Sequence, residues 1–325
     1  ICVHVLGSIG CALSQSIDAL LAFRALQGCF AGAGYVVGRA VVRDLFEGDE
    51  AQRQISRIQT LFALAPIIAP ILGGWLVAHM AWPAIFWFLA GFGALLAIWC
   101  FFGLEETHHG DHRLAFAVRP LTRNYWRIFF NKSFQPLAAI AGINFVGFFV
   151  YIAGAPAFLM RHLGLTSKDF ALLFIPSIIG ITCAAWLSGR LAGRITRDRQ
   201  INWGFAIMGV GAAINLAVSV ALPASVVGNI APIVIYNFGM ALITPCISIK
   251  LLDAFPLARG SVSALQSSTH VAMMAVTSAL VVPFAQQSLV RFASVMLAST
   301  VVGAIIWKIY LATHPAESSP TSSTA

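Results

Sequence analysis

Pro83–Gly103 reads PAIFWFLAGFGALLAIWCFFG, an unbroken apolar run without a charged side chain. A helix of roughly 20 mostly apolar residues is long enough to cross the hydrocarbon of a bilayer. The same reading extends outward in both directions. Before it lie a partial span at Ile1–Leu13, then Ala19–Gly38 and Leu61–Met80. After a polar stretch come Pro136–Leu159, Asp169–Gly189, Ile201–Leu222, Gly228–Lys250, Ser261–Pro283 and Leu289–Ala312. The expected fold class is an all-α membrane protein with four spans, a linker and six further spans. The expected domains are 1–103, a linker over 104–135, a six-span bundle over 136–313 and a Ser/Thr/Pro-rich disordered tail over 314–325.

Composition agrees. Of 325 residues, 10% are charged and 59% hydrophobic, and the mean hydropathy is +0.84. A soluble domain of this length needs far more charge to coat its surface, so lipid is the solvent for most of the chain. The net charge of +8 sits in short clusters between apolar runs, which argues for membrane-flanking loops and against nucleic acid. Cys2, Cys11, Cys29, Cys100, Cys183 and Cys246 all lie in apolar runs with no C-x-x-C spacing, so neither a disulfide framework nor a metal site is expected. The chain opens on Ile1 inside an apolar run with no signal peptide, and the expectation is that two spans precede it.

Lys and Arg set the orientation. Arg39, Arg43, Arg53 and Arg57, the linker arginines with Lys132, Arg190, Arg194, Arg197 and Arg199, and then Lys250, Arg259 and Lys308 fall on one side. Arg161, Lys168 and Arg291 fall on the other. The positive-inside rule makes the first side cytoplasmic, placing the linker and C-terminus there and the protein in a bacterial inner membrane.

Arg24, in Leu20-Leu21-Ala22-Phe23-Arg24-Ala25-Leu26-Gln27-Gly28, lies about a turn and a half inside an apolar zone. A cation at such depth costs roughly 2.5–3.5 kcal/mol on insertion scales, so it either faces an aqueous cavity or partner, or snorkels to the outer interface. In the next span Ala65, Ala69 and Gly73 form a small-residue ladder, broken by the kinking prolines Pro66 and Pro70. Such a kink serves packing and mechanism together.

At these residues the sequence resembles the major facilitator superfamily, and within it the drug:proton antiporters of bicyclomycin-resistance type. Leu20, Arg24, Gln27 and Gly28 match that family's fourth-span pattern. Pro70, Gly73 and Gly74 match its fifth-span antiporter pattern, with Ala65 and Ala69 replacing glycines. Gly38 through Phe46, including Arg39, Arg43 and Asp44, resembles the cytoplasmic run that follows the family's fourth span. Gly189, Leu191, Ala192, Arg194 and Arg197 echo the family's hallmark loop, with Gly193 and Thr196 departing from it; with Arg190 they imply a basic cytoplasmic anchor. The resemblance implies a two-bundle fold in which the chain carries family spans 3–12. It also implies that the ladder of Ala65, Ala69 and Gly73 meets an antiparallel ladder of Gly180, Ala184 and Ser188 where the halves face each other. That contact would be a sliding surface for alternating access.

The family's members couple export to protons, so a proton is the expected coupling ion and no cofactor is expected. Every Asp and Glu here falls in a loop, a tail or a span end, which places an intramembrane carboxylate, if one exists, in the segment before Ile1. His270, mid-span, is either a proton carrier or a neutral histidine hydrogen-bonded to a neighbouring helix. Asn144, Tyr151 and Asn237 either line a transport pathway or bond between helices. His108 and His112 have helical ligand spacing, but Gly110 between them and a polar linker around them favour a solvated loop. With no phosphate-binding loop and no nucleophile–base pair, neither an ATP-driven pump nor an enzyme is expected. The implied function is proton-coupled efflux of small amphipathic drugs by a monomer surrounded by lipid. A carrier of one metabolite, such as a nucleoside or sugar, and a non-functional truncated relic are the alternatives.

Overall fold

In the computed structural model, residues 1–32, 34, 37, 41, 45, 68–69, 72–103, 118–192, 194–255 and 258–314 are described. Among them every regular element is a helix. The chain divides into two units, Ile1–Phe116 and Ala117–Ala325.

In the first unit, α1 (Cys2–Leu13) packs against both α2 (Ile17–Ala31) and α3 (Pro83–Gly103). Ser16 caps α2 by accepting from the Ala19 amide at 3.2 Å, and Asp18 adds a negative charge to its first turn. Glycines let the helices close up. A Cβ on Gly7 would stand 3.1 Å from the Gln27 Cβ of α2, and one on Gly93 of α3 would stand 2.9 Å from a methyl of Val5. A further helical stretch covers 72–79; residues 61–67, 70 and 71 of the expected span Leu61–Met80 lie outside the described residues.

The second unit begins with α4 (Val118–Phe129) and continues with α5 (Phe134–Ala153), α6 (Ala171–Leu191), α7 (Arg197–Ala221) and α8 (Val226–Asp253). α9 starts at Arg259 and runs through a wider π-type turn at Thr277–Val281 to Ala285; α10 covers Leu289–Thr313. Hydroxyls punctuate the connections: Thr196, Ser225 and Ser288 cap α7, α8 and α10 through the amides of Arg199, Gly228 and Arg291. Seven of the described helices are long and apolar enough to cross a membrane, so this is a membrane protein. Their ends lie within a few residues of the expected spans. Within the expected linker, residues 118–129 form a helix that the sequence reading did not anticipate.

The core of this unit gathers Trp307, Tyr151, Tyr236, Phe134, Phe158 and Phe292, all fully buried. Lipid tails are as apolar as these side chains, so close packing has to hold the helices together. α7 and α8 touch backbone to backbone: a Cβ on Gly239 would lie 2.7 Å from the Gly204 carbonyl oxygen and 2.8 Å from the Met208 amide. Further along, a Cβ on Gly211 would meet the Tyr236 amide at 2.8 Å and the Pro232 carbonyl at 2.9 Å.

Candidate functional site

The polar residues of the first unit form one chain. Gln27 is 2% exposed and donates through Nε2 to Ser8 Oγ at 2.6 Å. Its Oε1 accepts from Arg24 Nη1 at 2.5 Å, and Ser8 in turn donates to the His4 carbonyl at 2.8 Å. Nδ1 of His4 is 3.4 Å from the Gln27 carbonyl oxygen. The close approach at Gly7 brings α1 near enough for Ser8 to reach Gln27. Helical side chains lean toward the N-terminus, yet Arg24 reaches three residues forward, away from the polar end of α2 at Ser16. Snorkelling would send it the other way. Its guanidinium also stands 5.9 Å from the centre of the Phe86 ring on α3, and the side chain as a whole remains exposed. A cation held by a neutral amide keeps its full charge and can accept an anionic or polar group from solution. Ser8 was not anticipated from sequence; a serine beside a glycine in an apolar run was the available signal.

In the second unit several of the expected site residues are buried. Tyr151 is buried between α7 and α10, accepting at its hydroxyl from Asn215 Nδ2 at 2.6 Å and stacking on Phe292 at 5.1 Å. Its hydroxyl thus bonds between helices in this structure. Asn144 and Asn237 are buried as well, and neither amide finds a hydrogen-bond partner among the described residues. Asn144 Oδ1 would stand 2.6 Å from a Cβ on Gly303, so its amide is wedged against α10. Its carbonyl accepts from the Tyr236 hydroxyl at 2.8 Å. All three side chains lie inside the bundle because α5 and α8 are apolar on every side, which leaves sequence periodicity unable to tell a cavity face from a packed one.

The ladder on α6 is also committed within its own bundle. A Cβ on Gly180 would meet Val234 of α8 at 3.0 Å, Ala184 packs with Ala241 and Leu242, and Ser188 accepts from Gln200 Nε2 at 2.6 Å. Gln200 donates to the Leu242 carbonyl too, at 3.0 Å, so one buried amide ties α6, α7 and α8 together. The expected sliding surface is therefore occupied on this side. In the other ladder, Ala65, Pro66 and Pro70 lie outside the described residues, Ala69 is exposed, and a Cβ on Gly73 would meet nothing within 4 Å. Gly28 is likewise open, and Gly74 is half-buried on the 72–79 helix.

His270 is half-buried on α9, its ring centre 4.7 Å from that of Phe145 on α5, with no hydrogen bond to the ring among the described residues. Arg197 pairs with Asp253 at 2.7 Å, and Lys250 with Asp198 at 2.6 Å, so two ion pairs join the start of α7 to the end of α8. Arg190 lies over the Trp186 ring at 4.1 Å, and Arg194 is exposed. Arg39, Arg43 and Asp44 lie outside the described residues.

Comparison with known proteins places this architecture. Residues 1–279 match the Major Facilitator Superfamily. The chain is 28% identical over 193 residues to a bicyclomycin resistance protein homologue of Haemophilus influenzae, covering 59% of this chain and 48% of the relative. It is 29% identical over 316 residues to YdgK, an uncharacterized transporter of the same superfamily from Bacillus subtilis, covering 94% and 76%. It is 29% identical over 275 residues to a chloramphenicol resistance protein of Pseudomonas aeruginosa, covering 81% and 62%. The chain thus spans about half the length of the first of these relatives and roughly three-fifths of the third. Among solved structures, a bacterial homologue of the human lysosomal transporter Spinster superposes with a TM-score of 0.68 at 16% identity, covering 95% of this chain and 80% of that one. A POT family transporter in complex with a thioalcohol-conjugated peptide gives 0.71 at 14% identity, covering 97% and 80%. At these identities the likeness is one of fold. The match over residues 1–279 makes this chain a member of the major facilitator superfamily.

Proposed function

We propose that the protein exports small amphipathic compounds across a bacterial cytoplasmic membrane in exchange for protons, working as a monomer with its linker and C-terminus in the cytoplasm. The observation that carries this reading is the Arg24–Gln27–Ser8 chain, a full positive charge held on an otherwise apolar helix. Stability alone gives no reason to keep it there, since an arginine at such depth costs roughly 2.5–3.5 kcal/mol. Resistance to bicyclomycin and to chloramphenicol in the names of two relatives supports the substrate class. The excess of Lys and Arg on one side supports the orientation. Arg24 binds the polar part of the substrate or the proton-donating group, and Gln27 and Ser8 hold it in position. His270 is the titratable side chain in the C-terminal unit best placed to carry a proton.

The test is growth of an efflux-deficient bacterium expressing the full-length protein on a panel including bicyclomycin and chloramphenicol. Protection is expected from the parent and from no Arg24→Ala variant that reaches the membrane at the same level. Full protection by Arg24→Ala would show that the arginine has no part in transport. A parent that protects against no compound on the panel would move the reading to a metabolite carrier.

A further inference from the structure

The helix inside the linker has a composition that the transport reading does not use. Arginine recurs at positions 119, 123 and 127 of α4, every fourth residue, which sets these positions along one stripe of the helix. Ile128 is buried in the core of the unit. The Phe129 ring lies 6.3 Å from that of Phe134, which lies 6.4 Å from Phe255, so α4 is pinned to the end of the bundle. Trp126 and Phe130 remain 61% and 62% exposed, with their rings stacked at 5.3 Å. A cleft of about 270 Å³ lined by Thr122, Tyr125, Trp126, Phe129 and Leu265 runs between α4 and α9.

Among the described residues, Arg123 and Arg127 have no acidic partner, and both are exposed. No Asp or Glu occurs anywhere from His112 to Lys168. Asp198 and Asp253 are already taken by Lys250 and Arg197. Position is constrained as well. Only Phe130–Ser133 separate α4 from the span beginning at Phe134, a tether of at most about 14 Å. The helix therefore stays level with the entry of α5 into hydrocarbon. Water would solvate the guanidinium groups there but not the indole and phenyl rings beside them. The headgroup layer accommodates both, offering phosphates to arginine and an apolar boundary to Trp and Phe.

We propose that α4 is a membrane-surface helix that docks on an anionic phospholipid leaflet, with Arg123 and Arg127 on the phosphates and Trp126 and Phe130 in the acyl boundary. The proposal is independent of what the protein carries.

The full chain, with its cysteines replaced by serine and a nitroxide at Phe130→Cys, is reconstituted in nanodiscs of phosphatidylcholine alone or mixed equally with phosphatidylglycerol. Collision with oxygen and with a water-soluble nickel chelate reports depth. In the mixed discs the label is expected to meet oxygen in preference to nickel, and less so in phosphatidylcholine alone. Adding Arg123→Gln and Arg127→Gln should lower the docking equilibrium roughly 30-fold, at about a factor of five for each charge near an anionic surface. The lysine pair Arg123→Lys and Arg127→Lys should keep the response and shows that the substituted helix still folds. Equal nickel access in both lipids, or an unchanged phosphatidylglycerol response in the glutamine pair, would overturn the proposal. So would exclusion of both probes in detergent as well as in discs, since a protein surface would then cover α4.

Discussion

Replacing Gln27 with leucine interrogates the polar chain of the first unit at its middle link. The variant deletes a hydrogen bond from a cationic donor, about 1.5–3 kcal/mol, and one between neutral groups, about 0.5–1.5 kcal/mol. Ser8 keeps its bond to the His4 carbonyl, so no buried donor is orphaned there. Leucine has a similar volume, and its burial at a site only 2% exposed returns roughly 1–2 kcal/mol. The net loss should fall near 1–3 kcal/mol, at the upper end if Arg24 finds no water once released. Ser8→Ala alone should cost about 1–3 kcal/mol, because it leaves Gln27 Nε2 buried without its acceptor. The double variant should cost about 1 kcal/mol less than the sum, because either substitution already removes the Ser8–Gln27 bond. Unfolding in mixed micelles of dodecyl sulfate and a mild detergent, followed by tryptophan fluorescence, gives all the terms of this cycle. Strict additivity would refute the geometry, since two side chains 2.6 Å apart must be coupled.

Gly239→Ala should destabilise the protein by about 1–3 kcal/mol, because the new methyl meets the Gly204 carbonyl and the Met208 amide and neither can move aside. Gly209→Ala on α7 meets nothing within 4 Å among the described residues, so its thermal midpoint should be unchanged or higher. A cysteine at Ser322 in a Cys-free background should resist an impermeant maleimide in intact cells and react after lysis; labelling in intact cells would reverse the proposed orientation.

Span positions were legible because bilayer thickness imposes a length and an apolar composition on each helix. Pro83–Gly103 and the start of the last span at Leu289 coincide with the observed helices. What each face of a span does was not legible. Tyr151 and Asn215 lie on helices whose apolar residues surround the axis, so no polar stripe marks the side that meets a neighbour. The Gly180 ladder was read as a groove facing the ladder of the other half, but its spacing carries no address, and α8 packs against it. Arg24 and Gln27 stood out because charge and amide are rare at such depth; Ser8, a smaller polar group, did not. The helix at 118–129 was not anticipated, because that stretch was read only as a polar linker although arginine at 119, 123 and 127 has a helical period.

The backbone contact between α7 and α8 also decides which part of the second unit is stiff. Where Gly204 faces Gly239 the two main chains meet directly, so a slip drives a carbonyl oxygen into the opposite main chain. Gln200 and the two ion pairs fasten the same pair of helices near one end. α7 and α8 consequently act as a single lever. α9 is held differently: Met273 lies over Gly142, His270 rests on Phe145, and Gln266 donates to Ser248 at 3.0 Å. Each of these is a flexible or rotatable group that can re-form its contact after a shift. Compliance therefore gathers in α9, next to the π-type turn at Thr277–Val281, where the regular hydrogen-bond ladder is already loosened. A tightly fixed pair thus stands beside a helix whose contacts can re-form after a shift.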